Sequence, residues 1–385
     1  MVKDLHICLN MAGDSGWMGG IIYIQNLVRA IAHVPAEEKG NIKLSIVASN
    51  HNFDLVKPVS NYLDAVYLKR GTYLKACKSL AERFNFLPRK LLNPLQLDFF
   101  YPTTGGNQAP FTWGGWIPDF QHHYLPQLYS EAEIEARDAH HRKIAQTAPV
   151  VILSSKMAQA DFQRFYPEAA NRSQLMHFVS YLEPTWLQPT PQFTQIKYHL
   201  PDEFFLVSNQ FWEHKNHGVI IEALAILKQQ GIKPVVVCTG KTTGQNNTEY
   251  FDKLLGRIEA LNLAKQVRIL GLIPRIDQIQ LMRRCLAVIQ PSLFEGWSTV
   301  IEDARALGKP IIASDFPVHL EQNPPHSCFF AQHDPEQLAT LISQSLVRLK
   351  PGPDFTTEEH ASHNNYQQLL AYGRRFLEIV RNTVY

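Results

Sequence analysis

The densest chemistry in the 385-residue chain lies between Pro291 and Pro310. A strand is predicted to end at Pro291-Ser292, and the acid Glu295 follows in a turn with Gly296. A helix is predicted to start near Thr299 and to stop before Gly308 and Pro310. The first amides of a helix lack partners and carry the positive end of its dipole, so those of Ser298, Thr299 and Val300 suit a diphosphate. Glu295 on the turn and a second carboxylate in the first helical turn, Asp303 or its neighbour Glu302, are then positioned to grip sugar hydroxyls. Thr299 and Glu302 also fit a capping box, which gives Glu302 a structural task instead. Near the other end of the chain a glycine-rich loop runs from Met11 to Gly20. Its Gly19 and Gly20 permit close backbone approach to a phosphate or sugar. The spacing is not G-x-G-x-x-G, so the dinucleotide fingerprint is absent.

Such loops need strands and helices to hold them, and short β-branched runs alternate with helical patterns along the chain, as in parallel α/β layers. Strands are predicted at Leu5–Asn10, Leu44–Ala48, 98–102 and 150–154, with helices over 20–33, 131–146 and Lys156–Phe165. Ser130 and Glu133 form a capping box for the second of these helices. After a proline-punctuated stretch (Pro184, Pro189, Pro191, Pro201) the alternation restarts. Strands then follow at 204–208, 234–239, 267–270, 287–290 and 310–313, with helices over 217–230, 276–285 and after Thr299, and a helical tail over 366–384. The organisation expected is an N-terminal Rossmann-like domain over 1–185, a linker over 186–200, a second Rossmann-like domain over 201–365 and a C-terminal helix over 366–385 that crosses back to the first. Two such domains facing one another make a cleft, and ligands of these folds bind beyond the carboxyl ends of the strands.

Composition narrows the function classes. Apolar residues are 45% and charged residues 19% of the chain, enough for ordinary cores. A net charge of +2 gives no electrostatic drive toward nucleic acid. The five cysteines are scattered without C-x-x-C spacing, which argues against a disulfide framework or a zinc site. Adjacent histidines, His122-His123 and His140-His141, are not expected to bind metal, because neighbouring side chains point apart. The N-terminus is too polar for a signal peptide, and no apolar run reaches spanning length, so a cytoplasmic protein is expected. Between Lys69 and Lys90 seven cations meet only Glu82, with apolar residues interleaved, which suits an anionic or lipid-linked acceptor at the inner membrane face.

The 291–310 segment resembles the signature of glycosyltransferase family 4, in which two glutamates are separated by seven residues. An ungapped match puts Glu295 on the first and Asp303 on the second, one methylene shorter. The resemblance covers most of the second domain and scattered loops of the first. It implies the GT-B fold, a nucleotide-diphosphate sugar donor carrying uracil or guanine, retention of the donor's configuration, and no metal or further cofactor. It implies that Lys215 grips the donor diphosphate. Gln210 stands where the family usually has an arginine, so one cation is missing. It also implies that His122, or failing that His123, faces the donor sugar, and that Gly271-Leu272-Ile273-Pro274 holds the base. Glu295 would take donor-sugar hydroxyls and Asp303 the ribose. No Asp-x-Asp pair occurs in the sequence, in keeping with a metal-independent enzyme.

The activity so implied is hexosyl transfer to a hydroxyl of a saccharide or lipid-linked acceptor in glycan or polysaccharide synthesis. Two rivals remain: a sugar-nucleotide epimerase of the same fold, and a catalytically quiet sugar-nucleotide-binding partner subunit. The basic stretch yields a direct expectation. Reversing the charge at Lys75, Lys78 and Arg83 should weaken co-sedimentation with anionic vesicles, and unchanged binding would remove the membrane-contact reading.

Overall fold

A computed structural model describes residues 4–11, 18–68, 93, 95–104, 109–188, 190–242 and 248–385. The basic stretch and residues 12–17 of the glycine-rich loop lie outside them. The chain divides into two units, Met1–Val179 with Tyr366–Tyr385, and Ser180–Asn365.

The first unit holds seven parallel strands: β1 (Leu5–Asn10), β2 (Ile42–Ala48), β3 (Ala65–Leu68), β4 (Phe99–Tyr101), β5 (Thr112–Ile117), β6 (Val150–Leu153) and β7 (Ser173–Leu175). They lie in the order β3-β2-β1-β4-β5-β6-β7. The strands are apolar on both faces because helices cover both sides of a parallel sheet, and Ile7, Cys8 and Leu9 of β1 are fully buried. The Lys156–Phe165 helix has the predicted limits, and Ser130 caps the Glu131–Thr147 helix with both bonds of the box. β5 is missing from the sequence reading, its paired glycines Gly114-Gly115 interrupting any β-branched run. Here the glycines serve packing, since a β-carbon on Gly115 would lie 2.4 Å from Ile144 of the overlying helix.

The second unit holds β8 (Phe205–Ser208), β9 (Val236–Thr239), β10 (Val267–Gly271), β11 (Val288–Gln290), β12 (Ile311–Ser314) and β13 (Ser327–Phe330). All are parallel, in the order β10-β9-β8-β11-β12-β13. Successive residues of β8 serve opposite layers. Phe205 and Val207 pack with Ile220 and Leu224 of the His217–Gln229 helix, whereas Leu206 packs with Ile279 and Ile301. Strand order reverses between β8 and β11, so the loops leaving these two strands flank a topological switch point.

The proline-rich stretch expected as a linker is partly helical and belongs to the second unit. Pro184 and Pro191 each occupy the first position of a short helix, Pro184–Leu187 and Pro191–Lys197, where a missing N–H costs nothing. The tail helix is longer than its pattern suggested, Phe355–Val384, and its residues from Tyr366 onward pack in the first unit. Gly373 sets that packing: a β-carbon there would sit 2.3 Å from the carbonyl oxygen of Ala30 in the Met18–His33 helix. Gly373→Ala should therefore cost about 1–3 kcal/mol through forced separation of the helices, read as a lower midpoint in thermal unfolding. An unchanged midpoint would mean that the two helices do not pack this closely.

Candidate active site

At the switch point of the second unit, the loop after β8 carries Lys215 and the loop after β11 carries Glu295. A single tight turn, Glu213–Lys215, ends at Asn216 in the left-handed region (φ 54°), and this turn delivers the lysine. Asn216 is fixed in turn by donating to the carbonyls of Pro291 and Gln332. Lys215 Nζ donates to Glu295 Oε1 at 2.6 Å, with side chains 13% and 10% exposed. Gln290 Nε2 donates to the same oxygen at 2.8 Å, and its own Oε1 accepts from Asn209 at 2.9 Å. Among the described residues, Oε2 of Glu295 receives no donor. Burial pushes the Glu295 carboxyl up, and the Lys215 ammonium beside it outweighs burial, so its pKa lies below the ordinary value.

The Thr299–Ala306 helix starts beside this pair in sequence, but its cap is one residue earlier than the sequence suggests. Ser298 Oγ accepts from the Ile301 amide, so the third helical position is an isoleucine and no capping box forms. Glu302 is instead buried among Gln322, which donates at 2.8 Å, and Arg305. Gln322 also accepts from the Ser298 amide at 3.1 Å. That amide is therefore committed within the protein, which corrects its assignment to a diphosphate. The amides of Thr299 and Val300 have no acceptor among the described residues. Gly296 is half-buried in the turn, and Gln210 is half-buried after β8.

Asp303 departs furthest from its expected role. It is fully enclosed, and both carboxylate oxygens are taken by Arg275, with Nη1 to Oδ2 at 2.7 Å. Arg275 also donates to Gln278 at 3.1 Å, and Gln278 donates to Ser208 at the end of β8. The acid is thus wholly enclosed, whereas the guanidinium that holds it keeps its side chain 26% exposed. Sequence reading missed Arg275. The available signal is a cation at the first position of the Arg275–Arg284 helix, directly after Gly271 and Pro274, where the helix dipole disfavours positive charge. Gly271 itself adopts φ +69° at the end of β10 and is half-buried.

In the first unit, Gly19 and Gly20 lie within the first turn of the Met18–His33 helix, and not in the loop before it. His122 sits on the Gln121–Tyr124 turn after β5. Its side chain is 0% exposed, and Nε2 bonds Asp138 of the Glu131–Thr147 helix at 3.0 Å. Such an enclosed ring does not face a sugar in this conformation, whereas His123, 31% exposed, is accessible. The expected divergence of the adjacent imidazoles is also corrected. Nε2 of His123 reaches the same Asp138 oxygen at 2.9 Å, because both rings fold back onto the neighbouring helix.

The second unit matches, over residues 192–348, the family described as glycosyl transferases group 1. A protein of Bacillus subtilis (strain 168) named "Putative glycosyltransferase EpsF" is 36% identical over 110 residues, 28% of this chain. That alignment spans about a quarter of the relative's length, 26%. Two solved structures are similar over nearly the whole chain. HepE of Anabaena, in complex with UDP, is 16% identical, with 98% of this chain and 100% of that chain covered and a TM-score of 0.68. Sucrose-phosphate synthase from Thermosynechococcus elongatus is 18% identical, with 98% of each chain covered and a TM-score of 0.67. The fold is GT-B, two Rossmann-like parallel-sheet units. Among the described residues no helix is long and apolar enough to cross a membrane.

Buried imidazoles around the site make a pH prediction. Burial holds His217 down to about 3 and His319 to about 4. Both are neutral in the folded chain near pH 7, and both take up protons more readily when unfolded. Their contribution is complete above about 6.5 and is lost as pH falls from there toward the folded values, about 1.4 kcal/mol each by about pH 5.5. His217 stacks on Phe211 at 4.4 Å, and both its ring nitrogens are buried without a partner. His217→Phe should therefore shrink the drop in unfolding midpoint between pH 7 and about 5.5, and an unchanged drop would contradict this origin.

Proposed function

We propose that the protein is a retaining, family-4-like glycosyltransferase. It moves a hexosyl group from a uridine or guanosine diphosphate sugar to a hydroxyl of a saccharide or lipid-linked acceptor. The observation that carries this reading is the enclosed Lys215–Glu295 pair at the switch point of the second sheet. An ammonium, and unpartnered helix amides that follow its carboxylate partner closely in sequence, suit a pyrophosphate, and a carboxylate with one open oxygen suits a sugar hydroxyl.

In this reading Lys215 and the amides of Thr299 and Val300 stabilise charge as it builds on the leaving diphosphate. Gln210 adds a hydrogen bond without adding charge. Glu295 Oε2 accepts from a hydroxyl of the transferred sugar and fixes its orientation, while Oε1 keeps the ammonium in place. Arg275, held by Asp303, meets the ribose, and the backbone around Gly271 meets the base. The departing diphosphate oxygen assists removal of the acceptor's proton on the same face. The protein therefore supplies positioning and electrostatics and no strong base of its own. A UDP complex of HepE is consistent with a nucleotide-sugar donor, and the EpsF similarity with glycosyl transfer.

The test is a thermal-shift screen of uridine, guanosine and adenosine diphosphate sugars, followed by turnover with the stabilising donor. Lys215→Ala should lower kcat by about 100-fold or more, the loss typical of one transition-state donor, and retain the folded circular dichroism spectrum. Glu295→Gln should lower kcat with little change in nucleotide affinity. Equal loss of nucleotide affinity would move Glu295 out of the sugar subsite. Stabilisation by none of the donors would overturn the reading. A product with no new glycosidic bond would favour epimerisation.

A further inference from the structure

We propose that His122, His123 and Asp138 form a binding site for one divalent ion of borderline softness, with Zn2+ the preferred occupant. The three donor atoms, Nε2 of each imidazole and one oxygen of the carboxylate, lie within 4.8 Å of one another. Nε2 of His122 and of His123 stand 3.0 and 2.9 Å from Asp138 Oδ1. Ligands held about 2.0–2.2 Å from one zinc ion sit roughly 3.0–3.5 Å from each other, so each imidazole–carboxylate distance needs to open by only a few tenths of an ångström. Two imidazoles and a carboxylate match zinc, cobalt or nickel, whereas magnesium and calcium favour oxygen alone.

The donors are also held in place by packing that needs no ion. The His123 ring stacks on Phe165 with centroids 4.5 Å apart and planes 23° apart. The His122 ring lies 6.5 Å from that of Phe120, 26° from parallel, and its side chain is wholly enclosed. Asp138 rises from the Glu131–Thr147 helix, so two separate elements bring the ligands together. His123 and Asp138 are 31% and 28% exposed, which gives an ion access from water and leaves its remaining positions to solvent. All three residues belong to the first unit, whereas Lys215 and Glu295 belong to the second. Without an ion, Asp138 Oδ1 accepts from both imidazoles, and this hydrogen-bonded trio is the competing account.

The full chain, free of any histidine tag and stripped with EDTA, is titrated with ZnCl2 by calorimetry, and with CoCl2 while the visible spectrum is recorded. One equivalent of Zn2+ should bind and raise the unfolding midpoint, and Co2+ should develop ligand-field absorption. Asp138→Asn, nearly isosteric, and His123→Gln, at a partly exposed ring, should each weaken Zn2+ by at least about 100-fold, the upper end of what outer-shell changes alone produce. No saturable binding, or binding of equal strength in both variants, would overturn the proposal in favour of the hydrogen-bonded trio.

Discussion

One buried contact between opposite charges organises the second unit. An ammonium and a carboxylate this enclosed are costly to desolvate, and their attraction is repaid only with good geometry and further hydrogen bonds. The surroundings of Lys215 and Glu295 meet both conditions. Gln290 supplies a second donor to the shared oxygen, Asn209 orients Gln290, and Asn216 fixes the turn that carries the lysine. Each of these residues leaves the carboxyl end of a strand or follows it closely. The parallel sheet and its reversal of strand order are thus the means by which side chains 80 positions apart in sequence meet at 2.6 Å.

Much of this was legible from residue types. Apolar β-branched runs give strands buried on both faces, and the Ser130–Glu133 box and Gly231 (φ +81°) mark helix ends by chemistry confined to a few residues. Where the local signal had two physical meanings, the sequence alone favoured the wrong one. Glycine inside β5 weakens the strand pattern but answers the approach of Ile144, and prolines at 184 and 191 read as breakers but start helices. The site followed the same division. Lys215 and Glu295 are picked out by the family resemblance of short motifs, yet the partners that decide what other residues can do are distant. Gln322 takes the Ser298 amide, Arg275 takes Asp303, and Asp138 takes both imidazoles after β5. No local pattern encodes contacts between elements 15 to 28 residues apart that meet only after folding.

The two units place their candidate chemistry alike and balance it differently. In the second, cation and anion neutralise one another with little water nearby. In the first, one carboxylate faces two imidazoles, and burial lowers the pKa of His122. The second unit's pair leaves one carboxylate oxygen open, and the first unit's trio brings three donor groups to one point.

The grip of Arg275 on Asp303 has a consequence for how this protein can change over generations. A carboxylate lengthened by one methylene at 303 would collide with a guanidinium already seated at bonding distance. An arginine removed from 275 would leave a wholly enclosed anion with no countercharge. Either step alone passes through a damaged intermediate. The two positions are therefore expected to be inherited as a linked pair, exchanged together or not at all.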